Sequence, residues 1–178
     1  MRRLAIHGLM AEFSSAEDLV KAAQQAYAAG YRRMDAYSPL PIDGLAEAIG
    51  FRRTGVPLIV LLGGIAGCLG GFYLQYWIAA IDYPINVGGR PYNSWPSFIP
   101  VTFELTILAA AFAAILSMLA LNGLPMPYHP VFNVPRFAQA SRDRFFLCIE
   151  AADAKFDQTE TTRFLTTLQS TGVSVVEQ

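Results

Sequence analysis

The spacing of hydrophobic positions changes character along this chain. Residues 3–10, RLAIHGLM, read as a strand. Ser14 opens a helix, with Glu17 following in the capping-box pattern. Leu19, Ala22, Ala23, Ala26 and Tyr27 then recur at helical spacing and predict one apolar face. Gly30 predicts its end. Residues 31–37, YRRMDAY, read as a second strand closed by Pro39 and Pro41. The C-terminal part repeats this order. Residues 144–151, RFFLCIEA, read as a strand, and Asp157 with Glu160 repeats the cap. Phe164, Leu165 and Leu168 make the stripe, Gly172 ends the helix, and 173–176 form a last strand.

Between these two units the periodicity disappears. Residues 56–81, VPLIVLLGGIAGCLGGFYLQYWIAAI, hold no charge and one Gln. Residues 105–124, LTILAAAFAAILSMLALNGL, are a second uncharged run. A bilayer core is crossed by about 20 apolar helical residues, so the two runs predict two transmembrane helices. A single run could be a buried core helix, but two in tandem in a short chain weaken that reading. Both runs are internal, so neither is read as a signal peptide.

Neither βαβ unit can bury its own helix face. Together they predict an α+β membrane protein: a ferredoxin-like βαββαβ cytoplasmic domain with the helical hairpin inserted between strands 2 and 3. Two separate small caps on the hairpin are the alternative. The expected boundaries are 1–54 for the first half of the α+β domain with its connector, and 55–81 for the first span. An extracytoplasmic loop follows at 82–100 and the second span at 101–123. A Pro-rich connector and the second half of the domain complete the chain at 124–178. Residues 43–50 predict a short helix. Four prolines between Pro125 and Pro135 exclude a regular α-helix there and predict an extended, docked strap.

Charge then orients the hairpin. Arg52 and Arg53 precede the first run, and Arg136, Arg142 and Arg144 follow the second. The loop between carries only Arg90. Positive residues stay inside, so both termini are expected in the cytoplasm. Tyr76, Trp77 and Trp95 suit the outer interfacial belt. Of the 178 residues, 53% are hydrophobic and 15% charged, with net charge −1. That balance gives no basic face for nucleic acid. Cys68 and Cys148 fall in a span and in a predicted strand, so no disulfide joins them on this reading. No haem-attachment or cysteine-cluster motif is present, and no metal or redox cofactor is expected on this chain.

Several residues carry candidate chemistry. Gly63, Gly67 and Gly71 make a small-residue face for close helix packing. They either pack the two spans on each other or dock on a larger membrane subunit. Glu104 is the acid inside an apolar run, about 10 Å deep at 1.5 Å per residue. Its readings are a structural hydrogen bond or ion pair, with Arg90 or a partner, a proton relay, and plain exposure. Asp82 joins Glu104 and Arg90 as a candidate relay or subunit contact. Gly88–Gly89 before Arg90–Pro91 predicts a tight turn, then extended chain. Asn86, Gly88, Gly89, Pro91 and Trp95 are the candidate outer-loop interface. Pro127, Tyr128, His129 and Pro130 are the candidate cytoplasmic strap contact. His7 and His129 lie far apart in sequence and read as structural or interface residues. No catalytic constellation is visible.

Particular stretches go further than pattern. GLMAEF, AGYRRMDAYSPLPIDGL, LQYW, DYPINVGGRPYNSWPSFIPVTFEL, LNGLPMPYHPVFNVPRF and ASRDRFFLCIE together resemble ActD, the small two-span subunit family of bacterial alternative complex III. The resemblance covers nearly the whole chain. It implies the bacterial inner membrane and a non-catalytic structural role in a complex that oxidises quinol and reduces a cytochrome c or copper protein. It implies haem c and iron–sulfur clusters in other subunits, none bound here. The implied partners are multi-span quinol-binding subunits, an iron–sulfur subunit, cytochrome c subunits and lipid. A free-standing membrane sensor with a ferredoxin-like ligand-binding domain is the alternative, and a small channel or transporter would have to oligomerise.

Overall fold

A computed structural model of the chain describes residues 6–51 and 54–178. Residues 3–5 of the first expected strand, and Arg52 and Arg53, lie outside that range. The chain divides into two units, one of residues 1–53 with 127–178 and one of residues 54–126.

In the first unit, β1 (Ile6–Phe13) is buried on both faces from Gly8 onward. Successive strand side chains point to opposite sides, so Leu9, Ala11 and Phe13 enter one core while Met10 enters another. α1 (Ala16–Ala29) starts one residue later than expected. Ser15 is the N-cap and accepts from Asp18 N at 3.1 Å, displacing the Ser14–Glu17 pair. Gly30 closes the helix at φ 103°, where a side chain would be strained.

β2 (Met34–Tyr37) is shorter than the expected 31–37. The amides of Arg32 and Arg33 are diverted from a ladder. Both donate to the Asp153 carboxylate, at 2.6 and 2.7 Å. Lys155 N donates to its other oxygen at 2.8 Å. Burial works to raise the pKa of Asp153, but these three amides outweigh it and hold the carboxyl below its ordinary value. Asp153→Ala removes a buried acceptor from three donors. Amide exchange across residues 31–37 is expected to quicken by about tenfold or more, read by hydrogen–deuterium exchange of the full chain.

A short α2 (Leu45–Ala48) follows. Later in the chain come β3 (Phe145–Glu150), α5 (Gln158–Thr167) and β4 (Gly172–Glu177). Asp157 caps α5 as expected, accepting from Thr159 N and Glu160 N at 2.9 Å. The helix stops at Thr167, with Gln169 left-handed at φ 58°. Gly172 is therefore the first residue of β4 and not the helix stop. The four strands form one antiparallel sheet in the order β2-β3-β1-β4.

One face of this sheet packs Leu9, Ala11, Phe13, Leu147 and Ile149 against Leu19, Ala22 and Ala26 of α1 and Leu165 of α5. The other face carries Met10, Phe146, Cys148 and Val176, covered by Val131, Val134 and Phe137. That cover is the Pro-rich strap, which is not extended. It coils into two 3-10 turns, Pro130–Asn133 and Pro135–Ser141. Proline at the first position of each turn costs no hydrogen bond, because that N–H has no internal partner. Phe137 anchors it edge-on to Tyr37 and Phe146, with ring centroids 4.9 and 5.6 Å away.

The second unit is a pair of long helices. α3 (Val56–Trp77) continues into a π-helical turn, Ile78–Asp82. α4 (Trp95–Leu121) begins well before the expected residue 101. Pro96 sits in the first turn, where proline is tolerated, and Pro100 lies inside the helix. Each stretch, Val56–Asp82 and Trp95–Leu121, is 27 residues, with mean hydropathy 1.9 and 2.1. At 1.5 Å per residue that is about 40 Å, enough to cross a 30 Å hydrocarbon core with tilt. Leu58, Leu62, Leu69, Phe103, Phe112 and Leu116 are exposed along them.

Candidate functional site

The seam between α3 and α4 is built on absence of side chains. A Cβ on Gly63 would stand 2.5 Å from the Ala113 Cβ, and one on Gly67 would stand 2.5 Å from Leu105 O. One on Gly71 would reach Leu105 Cδ1 at 2.8 Å. The glycine face is thus occupied by the chain's own second helix. Gln75 closes the loop end of the seam, its Nε2 lying 3.1 Å from Gly71 O, Phe98 O and Thr102 Oγ1. A polar side chain at lipid depth needs such partners.

The loop joining α3 and α4 is fixed by a tight turn. Asn86 Oδ1 accepts from Gly89 N at 3.1 Å, and Arg90 N donates to Val87 O at 3.2 Å. Gly88 and Gly89 between them have φ 62° and 74°, two successive left-handed residues that only glycine supplies cheaply. Pro91 and Trp95 are exposed beside this turn.

Arg90, Glu104 and Asp82 are not joined. Arg90 Nε donates to Ser94 Oγ at 2.7 Å and its Nη2 to Ser97 Oγ. Among the described residues no ion pair involves Arg90, Asp82 or Glu104. Because α4 starts at Trp95, Glu104 lies about 14 Å along the helix from its first residue. It is exposed on the hairpin surface.

On the strap, Pro127 and Tyr128 are exposed and Pro130 is half-buried at the start of the first 3-10 turn. His129 is not isolated. Its Nδ1 accepts from Val131 N at 3.4 Å, and its ring meets His7 edge-on, centroids 5.2 Å apart. Burial, and then His129, hold His7 below its ordinary value of 6.5, against the opposing pull of Glu150 and Asp35. The unfolded chain therefore binds this proton more readily than the folded one. Stability is full above pH 6.5 and is lost as pH falls through that value toward the folded one. The thermal midpoint of the full chain is expected to drop between pH 7.5 and 5.5, and His7→Asn is expected to reduce that drop.

Sequence reading also missed a charged pair. Glu12, 4% exposed on β1, accepts from Arg136 Nε at 2.5 Å and Arg136 Nη2 at 2.6 Å, with Arg144 at 3.7 Å. The Arg136 hydrogen bonds hold the Glu12 carboxyl below its usual range. The available signal was the acid itself: a charge inside the apolar run GLMAEF has to be paired once buried. Cys148, on the same face of the sheet as the strap, is pushed up to about 12, mainly by burial, and is inert as a thiol. Among the described residues no cluster of His, Cys, Asp and Glu is placed to hold a metal ion.

A glycine-seamed pair of helices long and apolar enough to cross a bilayer, carried in one chain with an α+β sheet unit, is the architecture of a small two-span membrane protein. The family model described as alternative complex III, ActD subunit, matches residues 7–175. The chain belongs to that family. A comparison with curated proteins returned no match.

Proposed function

We infer that this chain is a non-catalytic structural subunit of alternative complex III, supporting quinol oxidation and electron transfer to a periplasmic cytochrome c or copper protein. The single observation that carries this is the family match over nearly the whole chain. On this reading the sheet unit is a ferredoxin-like sandwich into which the hairpin is inserted between β2 and β3. The strand order and the position of α3 and α4 in the chain support it. The hairpin spans the bacterial inner membrane with both termini cytoplasmic and residues 83–94 outside. The haem c and iron–sulfur groups belong to other subunits, and the quinol site to a multi-span partner.

Two features give the structural role physical content. With Gly63, Gly67 and Gly71 spent inside the hairpin, the outward surfaces of α3 and α4 are large, exposed side chains, which suit lipid and multi-span partners. Glu104 stands on such a surface with no ion-pair partner among the described residues. A carboxylate at that depth is costly without one. A neighbouring subunit supplies it, and Asp82 and Glu104 would then flank a proton path from the quinol side. The rigid outer loop of Asn86, Gly88, Gly89, Pro91 and Trp95, and the strap residues Pro127–Pro130, are the other proposed subunit contacts.

The test is removal of the chain from its host. Loss of assembled complex and of quinol oxidation, both restored by Glu104→Gln, supports a structural role without the relay. Assembly without oxidation in Glu104→Gln supports the relay. Normal oxidation without the chain overturns the proposal. The sensor reading has one observation in its favour: an open cleft of about 280 Å³ lined by Asp18, Lys21, Gln25 and Gln169. It would be favoured by complex activity independent of the chain together with ligand-dependent protection of that cleft.

A further inference from the structure

Arg90 is a held cation whose charge is not neutralised. Ser94 and Ser97 accept from its Nε and Nη2. Hydroxyls fix the guanidinium in place but bring no negative charge, and no described carboxylate pairs with it. Beside it lies a cavity of about 170 Å³ lined by Ala79, Tyr83, Ile85, Val87, Pro91 and Tyr92. The π-helical turn ends at Asp82 and α4 begins at Trp95, so this cavity stands where both helices leave the apolar layer. That is the level of lipid headgroups in a spanning hairpin.

A second concavity lies further along the hairpin. An open, apolar groove of about 260 Å³ is lined by Cys68, Phe72, Ile99, Thr102, Phe103 and Thr106. Phe72 and Ala79 are about two helical turns apart, which sets groove and cavity on one side of α3. A cation above and an apolar channel below complement an amphiphile with one anionic group. Guanidinium and phosphate are matched in charge and geometry.

We propose that Arg90 binds the phosphate of a phospholipid headgroup in this cavity, with an acyl chain lying in the Cys68–Phe72 groove. A free hydrated phosphate gains nothing from the aliphatic Ile85 and Val87 lining, and an uncharged amphiphile leaves the charge of Arg90 unmatched. The inference rests on the hairpin spanning a membrane, not on the complex that contains it. A chain that assembles with haem subunits yet holds no lipid would lose this inference and keep the proposed function.

The full chain in mild detergent is titrated separately with phosphatidylglycerol and with inorganic phosphate, and adducts are read by native mass spectrometry. Wild type is expected to retain phosphatidylglycerol, and Arg90→Gln to hold it about tenfold or more weakly. Arg90→Lys keeps the charge without the fork and should fall between. Cys68→Trp fills the groove without touching Arg90, and should weaken lipid retention while far-UV circular dichroism stays unchanged. Equal lipid retention in wild type and Arg90→Gln overturns the proposal. So does inorganic phosphate bound as tightly as the lipid, which would mark a free-anion site.

Discussion

Gly67→Leu is expected to force the hairpin open. A Cβ at this position would stand 2.5 Å from Leu105 O and 2.6 Å from Ala109 Cβ. The first of these is backbone, so no rotamer change relieves it. The helices must separate, and separation forfeits dispersion contacts along the whole seam together with the Gln75 bonds to Phe98 O and Thr102. Overpacking a tight site costs about 1–3 kcal/mol, and more when the obstruction is main chain. Gly70→Leu is the matched control, because nothing lies within 4 Å of a Cβ there. Disulfide cross-linking between cysteines placed across the seam should fall sharply in Gly67→Leu and be unchanged in Gly70→Leu. Equal cross-linking in both would remove the glycine seam from the account.

The second large effect is expected from Arg136→Ala. It leaves the carboxylate of Glu12, 4% exposed, facing only Arg144 at 3.7 Å. A buried charge stripped of its partner is strongly destabilising. The midpoint for unfolding of the sheet unit should fall by on the order of 10 °C. The loss should be greatest in the strap, since Arg136 lies between Val134 and Phe137, the residues that cover Met10 and Phe146. Limited proteolysis should open at 127–141 before the sheet is cut. The pair also sets an acid limit. The pKa of Glu12 is depressed from 4.5 by Arg136, so its contribution is present above that value and lost as pH falls through the folded one. Glu12→Leu with Arg136→Met should recover most of the stability at neutral pH and lose that acid dependence.

These expectations lie at different distances from the sequence. The hairpin was legible because an uncharged run of that length has few other uses. The helix caps at Asp157 and Gly30 were legible because capping is local chemistry. Ser14 and Ser15 both satisfy the same rule, and the pattern alone did not choose between them. The strap and the start of α4 were misread for a shared reason. Proline forbids an interior hydrogen bond but not a first turn, so Pro96, Pro130 and Pro135 open helical turns where loop or extended chain was expected. That Glu12 meets Arg136, and His7 meets His129, could not be read from the sequence. The first pair is separated by 124 positions, and no local periodicity encodes which distant segment will cover a sheet face. The acid inside the apolar run GLMAEF was the clue that some segment must, and β1 is indeed buried on both sides.

The most direct test of the central claim is purification of the tagged chain from its host in mild detergent, followed by a visible spectrum of the eluate. A subunit of alternative complex III should bring with it large multi-span proteins and the absorption bands of haem c. A colourless eluate containing this chain alone would contradict the account.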